Sequence, residues 1–206
     1  AERERQEGYE EARFYYERGA YEAAIEDYMY AYQFYREDGK FLFELGHALH
    51  KKERYEESNR YLMEAEEHSC DPMILNIIGK NYQALGQYKE AEHYYRRSIN
   101  RLPGRIYPYY LLALLYSEPD YYHPQQLEEA CRMVLEKEPK VHSTAIEEMR
   151  DIVNNISWLF FDVGSTLIDE TECYNHRIRD AIKGTNISFE QFQEKRIFFA
   201  KQNLKG

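Results

Sequence analysis

Small and hydrophobic residues recur along the first half of the chain with a period of about 34 residues. Three rows of seven positions carry the pattern: Ala12, Tyr15, Gly19, Tyr21, Ala24, Tyr28 and Ala31; Gly46, Leu49, Glu53, Tyr55, Ser58, Leu62 and Ala65; and Gly79, Tyr82, Gly86, Tyr88, Ala91, Tyr95 and Ser98. The spacing within each row is identical. A repeat of this length with small residues at fixed places predicts stacked helix-turn-helix units.

The glycines of these rows have two different predicted roles. Gly46 and Gly79 fall in the middle of a helix, where Gly costs about 1 kcal/mol relative to Ala. These glycines would be explained if the backbone of a neighbouring helix must approach the chain closely at these two positions. Gly19 and Gly86 fall at the turn between two helices, where a left-handed residue ends the first one. The second helices are then expected to begin at Tyr21, Tyr55 and Tyr88.

A fourth unit follows in a less regular form. Ala113 lies 34 residues after Gly79, but the turn at 117–124 is longer and its two prolines exclude an α-helix there. The second helix is expected from Pro124 to about Lys137. A further helix beginning near Ser143 would cover the apolar side of this last unit.

The rows resemble the tetratricopeptide repeat over residues 5–152. The resemblance implies an all-α fold, a right-handed superhelix of about three and a half to four units. The units would span about 5–38, 39–71, 72–104 and 105–139, with a capping helix at 143–152, all in one domain of residues 1–152. The run 111–116 with the following 135–139 also resembles the repeat tail of bacterial O-antigen ligase or polymerase-type membrane proteins.

In the tetratricopeptide family the first helices line a concave groove that binds a partner. The matching positions imply a groove formed by Tyr9, Arg13, Tyr16, Phe43, His47, His50, Lys51, Asn76, Lys80, Gln83, Tyr107, Tyr110 and Leu114. The middle of this set is basic or titratable, so we expect a peptide or protein partner of acidic character. The alternative, that these are ordinary solvated side chains, stays open. The family's carboxylate clamp is not reproduced, so no chaperone tail is expected.

Charge and composition narrow the function classes. The net charge of −10 argues against general affinity for nucleic acid or anionic membranes. Tyr is unusually frequent, with 21 copies, and we interpret these as packing residues whose hydroxyls lie at the rim of the helix contacts.

Metal and disulfide chemistry is not expected. Cys70, Cys131 and Cys173 are far apart and lack a CxxC pair, so neither a disulfide framework nor a zinc site is predicted. His47 and His50 have a chelating spacing, but no third ligand is apparent nearby. We therefore expect no metal and no cofactor in the repeats.

No apolar stretch approaches the roughly 18 residues that a membrane-spanning helix needs, and the charged N-terminus does not resemble a signal peptide. We expect a soluble protein, cytoplasmic if the chain is complete. A membrane-tethered parent protein is expected if the O-antigen ligase resemblance holds.

A second signal begins after residue 152. The apolar run 157–161, Asp162 and the following Gly-Ser-Thr resemble the first motif of haloacid dehalogenase-like hydrolases. The resemblance implies that Asp162 is the nucleophile, that Thr166 supports it, and that the Gly164 carbonyl helps to hold Mg²⁺. The alternative function is therefore a Mg²⁺-dependent phosphatase or dehalogenase with a repeat arm for targeting.

The later motifs of the hydrolase family are not found after this first motif. Gly164 stands where phosphatases of that family have their acid–base Asp, and no room is left for the later motifs. We therefore expect no catalysis by the chain as it stands. Residues 153–206 are interpreted as a truncated, mostly helical segment, with helices at about 170–183 and 188–203.

The stretch 153–163 fits two structures. It can be a buried strand, or it can extend the preceding helix, because Ile146, Met149, Val153, Ile156, Phe160 and Val163 form an apolar stripe. We favour a helix as far as about Ile156. Pairing with another chain through 157–163 is one further outcome. Since both resembling pieces look cut, an engineered fusion is the hypothesis that fits them best.

Overall fold

The computed structural model describes residues 2–139, 142–157 and 188. These ranges contain nine α-helices and no strand. The helices are α1 (Glu2–Glu17), α2 (Tyr21–Ala31), α3 (Gly39–Lys51), α4 (Tyr55–His68), α5 (Pro72–Ala84), α6 (Tyr88–Arg101), α7 (Tyr107–Tyr116), α8 (Pro124–Glu136) and α9 (Thr144–Ser157). Short 3₁₀ turns follow α2 at Tyr32–Phe34 and precede α8 at Pro119–Tyr121.

The helices pack as four helix-turn-helix units. Helix α1 packs on α2, α3 on α4, α5 on α6 and α7 on α8. The second helix of each unit also packs on the first helix of the next, and the first helices α1, α3, α5 and α7 contact one another in order. This arrangement confirms the all-α solenoid that the repeat pattern predicts.

The predicted left-handed turns are present. Gly19 and Gly86 end the first helices of their units with φ of 74° and 72°. In the second unit Glu53 occupies the same place with φ of 59°, and it is the single non-glycine residue with positive φ in the described part of the chain. A side chain is strained in this conformation, so the repeat geometry is kept there at a local cost.

The two mid-helix glycines lie where a side chain comes close. A Cβ on Gly46 would lie 2.6 Å from Leu62 Cγ, and a Cβ on Gly79 would overlap the Tyr95 ring. The close approach was predicted correctly, but its partner was not, because the neighbouring atoms belong mainly to side chains rather than to backbone. Each glycine admits a large residue of its own unit's second helix into the core.

Tyrosines fill much of the core. Tyr28, Tyr95 and Tyr116 are almost completely buried, and their hydroxyls donate to Glu44 (2.9 Å), Gln83 (2.9 Å) and Glu92 (2.8 Å). The rings provide apolar area while each hydroxyl reaches a polar partner, as burial of a tyrosine requires.

Two aspartates fix the starts of the central first helices. Asp38 accepts from the backbone N–H groups of Lys40 and Phe41 at the start of α3, at 2.9 and 3.0 Å. Asp71 accepts from Met73 N at 2.9 Å, and Pro72 occupies the first position of α5. Such caps satisfy N–H groups that have no partner within the helix.

Helix α9 contacts the end of α8. The Arg150 guanidinium donates to the carbonyls of Val134 (3.2 Å) and Lys137 (2.8 Å), and Val153 is fully buried. The helix continues to Ser157, slightly beyond the end at Ile156 that the sequence favours. The chain divides into residues 1–153 and 154–206, and of the second unit only 154–157 and 188 are described. None of the described helices combines the length and apolar character needed to cross a bilayer.

Candidate binding groove

The residues predicted for the groove lie on the four first helices. The helices α1, α3, α5 and α7 are neighbours in space, so side chains of successive first helices can meet. Several of these side chains contact a residue of a neighbouring unit. Their contacts decide which of them are open to a partner.

Glu44 organises the first end of the groove. Its carboxylate is only 6% exposed and accepts from the hydroxyls of Tyr28 (2.9 Å) and Tyr9 (3.2 Å). Arg13 Nε lies 3.5 Å from Glu44 Oε1, and Lys40 Nζ lies 3.9 Å from the same atom. Tyr9 and Arg13 are therefore engaged in neutralising and solvating a buried charge.

His47 joins the first two units. Its Nδ1 is 2.6 Å from the Tyr16 hydroxyl, and its ring stacks on Phe43 with an interplanar angle of 2°. Burial, with Lys51, His50 and Lys80 nearby, lowers the pKa of His47 from 6.5 to about 4. Burial also raises the pKa of Tyr16 to about 12. Both side chains are neutral at physiological pH.

His50 joins the second and third units through a buried polar network. Its Nδ1 lies 2.6 Å from Asn81 Oδ1. The Asn81 amide donates to Ser58 Oγ (2.9 Å) and Asn59 Oδ1 (2.8 Å), and Ser58 donates to the Gly46 carbonyl (2.6 Å). Asn81 Oδ1 must therefore accept, and His50 Nδ1 must carry the proton.

This tautomer leaves His50 Nε2 as a hydrogen-bond acceptor. It has no partner among the described residues, and it is not one of their buried unpartnered atoms. Burial lowers the pKa of His50, against the opposing effect of its Asn81 hydrogen bond. At the centre of the groove the two histidines thus provide aromatic ring faces and the lone pair of His50 Nε2. They do not provide the positive charge that the sequence suggested.

Lys51 and Lys80 carry the positive charge instead. Within the described residues neither ammonium group forms an ion pair, whereas the other groove cation, Arg13, faces Glu44. Burial lowers the pKa of Lys80, and the charge of Lys51 lowers it further. The charge of Lys51 thus disfavours the charged form of Lys80, and among the described residues no anion pairs with either ammonium group.

The remaining predicted positions are less open. Asn76 is 1% exposed, and its buried Oδ1 has no hydrogen-bond partner among the residues that the structure describes, so it lies beneath the surface. Gln83 donates to Glu118 (3.0 Å) and accepts from Tyr95 (2.9 Å). Tyr107 and Tyr110 stack on each other at the far end, with centroids 6.2 Å apart, and Leu114 is half-buried on the same helix.

Three positions that make polar contacts beneath the groove were missed by the sequence argument: Glu44, Ser58 as a hydrogen-bonding group, and Asn81. A signal was present for two of them. Glu44 stands where the third unit has Ile77, and Asn81 stands where the second unit has Ala48. A polar residue at a position that other units keep apolar indicates a buried polar contact between units.

The hydrolase residues cannot be placed. Asp162, Gly164 and Thr166 lie outside the described residues, as does Cys173. Of the other cysteines, Cys70 is exposed and free, and Cys131 is buried, which raises its thiol pKa to about 12. A thiol in this state is unreactive at physiological pH.

Several solved structures share the fold. The MamA protein matches 90% of this chain and 97% of its own with a TM-score of 0.65 and 14% identity. A tetratricopeptide repeat protein from Parabacteroides merdae matches 96% and 74% of the two chains, with a TM-score of 0.64 and 18% identity. Pseudomonas aeruginosa pilF matches 90% and 78%, with a TM-score of 0.60 and 15% identity.

These likenesses establish the fold, which is a tetratricopeptide-repeat solenoid. No protein-family model matches the chain, and no curated protein matches it. The resemblances to O-antigen ligases and to haloacid dehalogenase-like hydrolases therefore find no support among known proteins.

Proposed function

We propose that the chain is an interaction scaffold whose concave surface, formed by α1, α3, α5 and α7, binds an extended acidic segment of a partner protein. Lys51 and Lys80 are the anchor for a carboxylate of that segment. The observation that carries the proposal is that the charge of Lys51 acts on Lys80, while neither ammonium group has an ion-pair partner among the described residues. An incoming carboxylate would relieve their mutual repulsion.

The surroundings of the two lysines suggest what flanks the carboxylate. His47 stacks on Phe43, and the two histidine rings lie 6.3 Å apart in nearly parallel planes. Their faces suit an apolar or aromatic side chain, and His50 Nε2 can accept a backbone N–H of the partner. A segment with an Asp or Glu next to an apolar residue fits this site best.

Charge reversal tests the proposal. A panel of fluorescein-labelled peptides with Asp or Glu flanked by Leu or Phe would be titrated with the chain and followed by anisotropy, alongside the corresponding Asn and Gln peptides. We expect the acidic peptides to bind and the amide peptides to bind at least about tenfold more weakly. Lys51→Glu with Lys80→Glu should abolish binding.

A matched control separates the groove from general charge. Lys89 and Arg105 are exposed and lie outside the four groove helices, so Lys89→Glu with Arg105→Glu makes the same change of net charge elsewhere. This control variant should bind nearly as the unaltered chain does. Equal loss in the two double variants, or no loss in the groove variant, would refute the proposed anchor.

A further inference from the structure

A cavity of about 300 Å³ lies between the third and fourth units, where α6, α7 and α8 meet. Ile99, Leu112 and Ala130 belong to its apolar lining. The exposed side chains of Gln126 and Glu129 also line it, so the cavity opens to solvent beside the second helices.

The repeat register shows which residue of α8 corresponds to a larger one in the earlier units. Four buried positions with the same spacing align the second helices: Leu127, Ala130, Cys131 and Val134 in α8, Ser58, Tyr61, Leu62 and Ala65 in α4, and Ala91, Tyr94, Tyr95 and Ser98 in α6. Ala130 therefore stands where the second and third units have Tyr61 and Tyr94.

Tyr61 shows what a tyrosine at this position contacts. Its ring centroid lies 5.1 Å from that of Tyr32, and its hydroxyl donates to Met29 Sδ at 3.3 Å, so it packs on the preceding unit. The residues of the third unit in register with Met29 and Tyr32 are Arg96 and Ile99. Both of them line the cavity.

Tyr94 identifies a further wall. Its ring stacks on Tyr82 of its own unit, with centroids 5.5 Å apart and an interplanar angle of 26°. The counterpart of Tyr82 in the fourth unit is Tyr116, which also lines the cavity. The cavity thus occupies the place where a tyrosine ring packs in the two earlier joints, and Ala130 has no ring to fill it.

The polar groups of the cavity favour a neutral ring that carries a hydroxyl. The charge of Arg96 is compensated by Glu92, whose Oε1 lies 2.7 Å from Arg96 Nε. Asn100 and Gln126 offer amide oxygens, and Glu129 offers a carboxylate, all of which can accept from a hydroxyl. The negative charge of Glu129 disfavours an anion. Since a cavity of about 150 Å³ is enough to bind benzene, this one has room for a ring and the chain that carries it.

We propose that this cavity binds the tyrosine side chain of a partner protein. The ring packs on Ile99, Tyr116 and Ala130, as Tyr61 and Tyr94 pack in their own joints, and its hydroxyl donates to an oxygen at the rim. A side chain borne by a protein is the occupant that the repeat itself places at the two equivalent positions. The cavity uses other positions of α7 than the groove does, so the proposal does not depend on the function of the groove.

Short uncharged peptides test the site in the full chain. The probe is a Gly/Ser peptide with one central Tyr and blocked ends, and the comparison peptides have Phe, Ala or phosphotyrosine at the same place. The peptides are titrated into methyl-labelled protein and followed by ¹H–¹³C spectra. We expect the Tyr peptide to shift the methyl signals of Ile99, Leu112 and Ala130, the Phe peptide to bind more weakly, and the Ala and phosphotyrosine peptides to leave these signals unchanged.

A variant that restores the residue of the earlier units locates the binding site. Ala130→Tyr places a ring in the cavity and should raise the Kd of the Tyr peptide at least about tenfold, read from the Ile99 and Leu112 signals. Ala145→Tyr makes the same change at an exposed position of α9 and should leave the Kd unchanged. Lys51→Glu with Lys80→Glu should also leave it unchanged, which distinguishes the cavity from the groove.

Three results would overturn the proposal. These are equal binding by Ala130→Tyr and the unaltered chain, equal weakening by Ala145→Tyr, and shifts caused by free p-cresol but not by the Tyr peptide, which would assign the cavity to a small molecule. If circular dichroism shows that Ala130→Tyr does not fold, Ala130→Leu supplies the test, since this smaller side chain still fills part of the cavity.

Discussion

Individual polar side chains between the units decide what the groove can do. Tyr9 and Arg13 are engaged by Glu44, Tyr16 by His47, and His50 by Asn81. Of the predicted groove cations, Lys51 and Lys80 have no ion-pair partner among the described residues, which is why the proposed anchor is placed there. The internal contacts that join the units thus leave few of the predicted positions for the proposed partner.

The tautomer of His50 can be observed. In the native chain the Asn81 carbonyl holds the proton on Nδ1. Asn81→Leu supplies an apolar side chain, like Leu115 at this place in the fourth unit, and removes the acceptor. We expect ¹⁵N chemical shifts of the His50 ring to show protonated Nδ1 in the native chain and a shift toward protonated Nε2 in the variant. An unchanged spectrum would contradict the network.

The neutral state of His47 makes stability depend on pH. Its pKa falls from 6.5 to about 4 on folding, so between these values the unfolded chain binds a proton that the folded chain does not. The free energy of unfolding therefore rises with pH through this window and falls again on acidification. For this partly exposed ring we expect the change to be about 1 to 2 kcal/mol. Urea titrations at pH 7 and about pH 4.5 should show a smaller loss for His47→Gln. Equal losses would exclude this role of the ring.

Individual helices depend on one close contact and one strained turn. Gly79→Ala would place a Cβ against the Tyr95 ring, and this overlap should outweigh the better helix propensity of Ala. We expect a net loss of about 1 to 3 kcal/mol in the free energy of unfolding, measured with denaturant. Gly8→Ala in α1 is the control, because no atom lies within 4 Å of its added Cβ. This variant should be as stable as the native chain or more so, and a similar loss in both would contradict the packing argument.

The strained turn predicts a stabilising change. Glu53 has φ of 59° where the first and third units have Gly19 and Gly86. Glu53→Gly should raise the free energy of unfolding by about 1 kcal/mol, since glycine adopts this conformation without steric cost. Glu53→Ala keeps the Cβ and should give no such gain in thermal or denaturant unfolding. A gain of the same size with Ala would assign the effect to the lost carboxylate instead.

The repeat period predicted the helices well, because small residues at fixed spacing constrain where two helices can cross. The starts of α2, α4 and α6 at Tyr21, Tyr55 and Tyr88 follow directly from it. The state of the groove could not be predicted in this way. Whether His47 is charged depends on how deeply the fold buries it and on Lys80, which is close to it in space but distant in sequence.

Within the described part of the chain, each helix packs mainly on its own unit and on the neighbouring units. Helices α3 to α6 have a unit on each side, whereas α1 has a neighbour on one side within the described part of the chain. Amide hydrogen exchange should therefore be slowest in α3 to α6 and faster in α1. Gly79→Ala should accelerate exchange most in α5 and α6 and least in α1. Uniform acceleration over all helices would show one cooperative unit instead.

The polar contact between His50 and Asn81 also has a consequence for protein engineering. The second unit contributes His50 to this pair and the third unit contributes Asn81, so neither unit can be replaced by another without losing the contact. Consider a second copy of the third unit inserted directly after the native third unit. Asn81 of the added copy would then face Gln83 of the native unit, which is the counterpart of His50, and the buried Asn81 amide would need new hydrogen-bond partners. To lengthen this solenoid, the two helices that form an interface between units must be transferred together. The inserted sequence should therefore begin and end between the two helices of a unit rather than between two units.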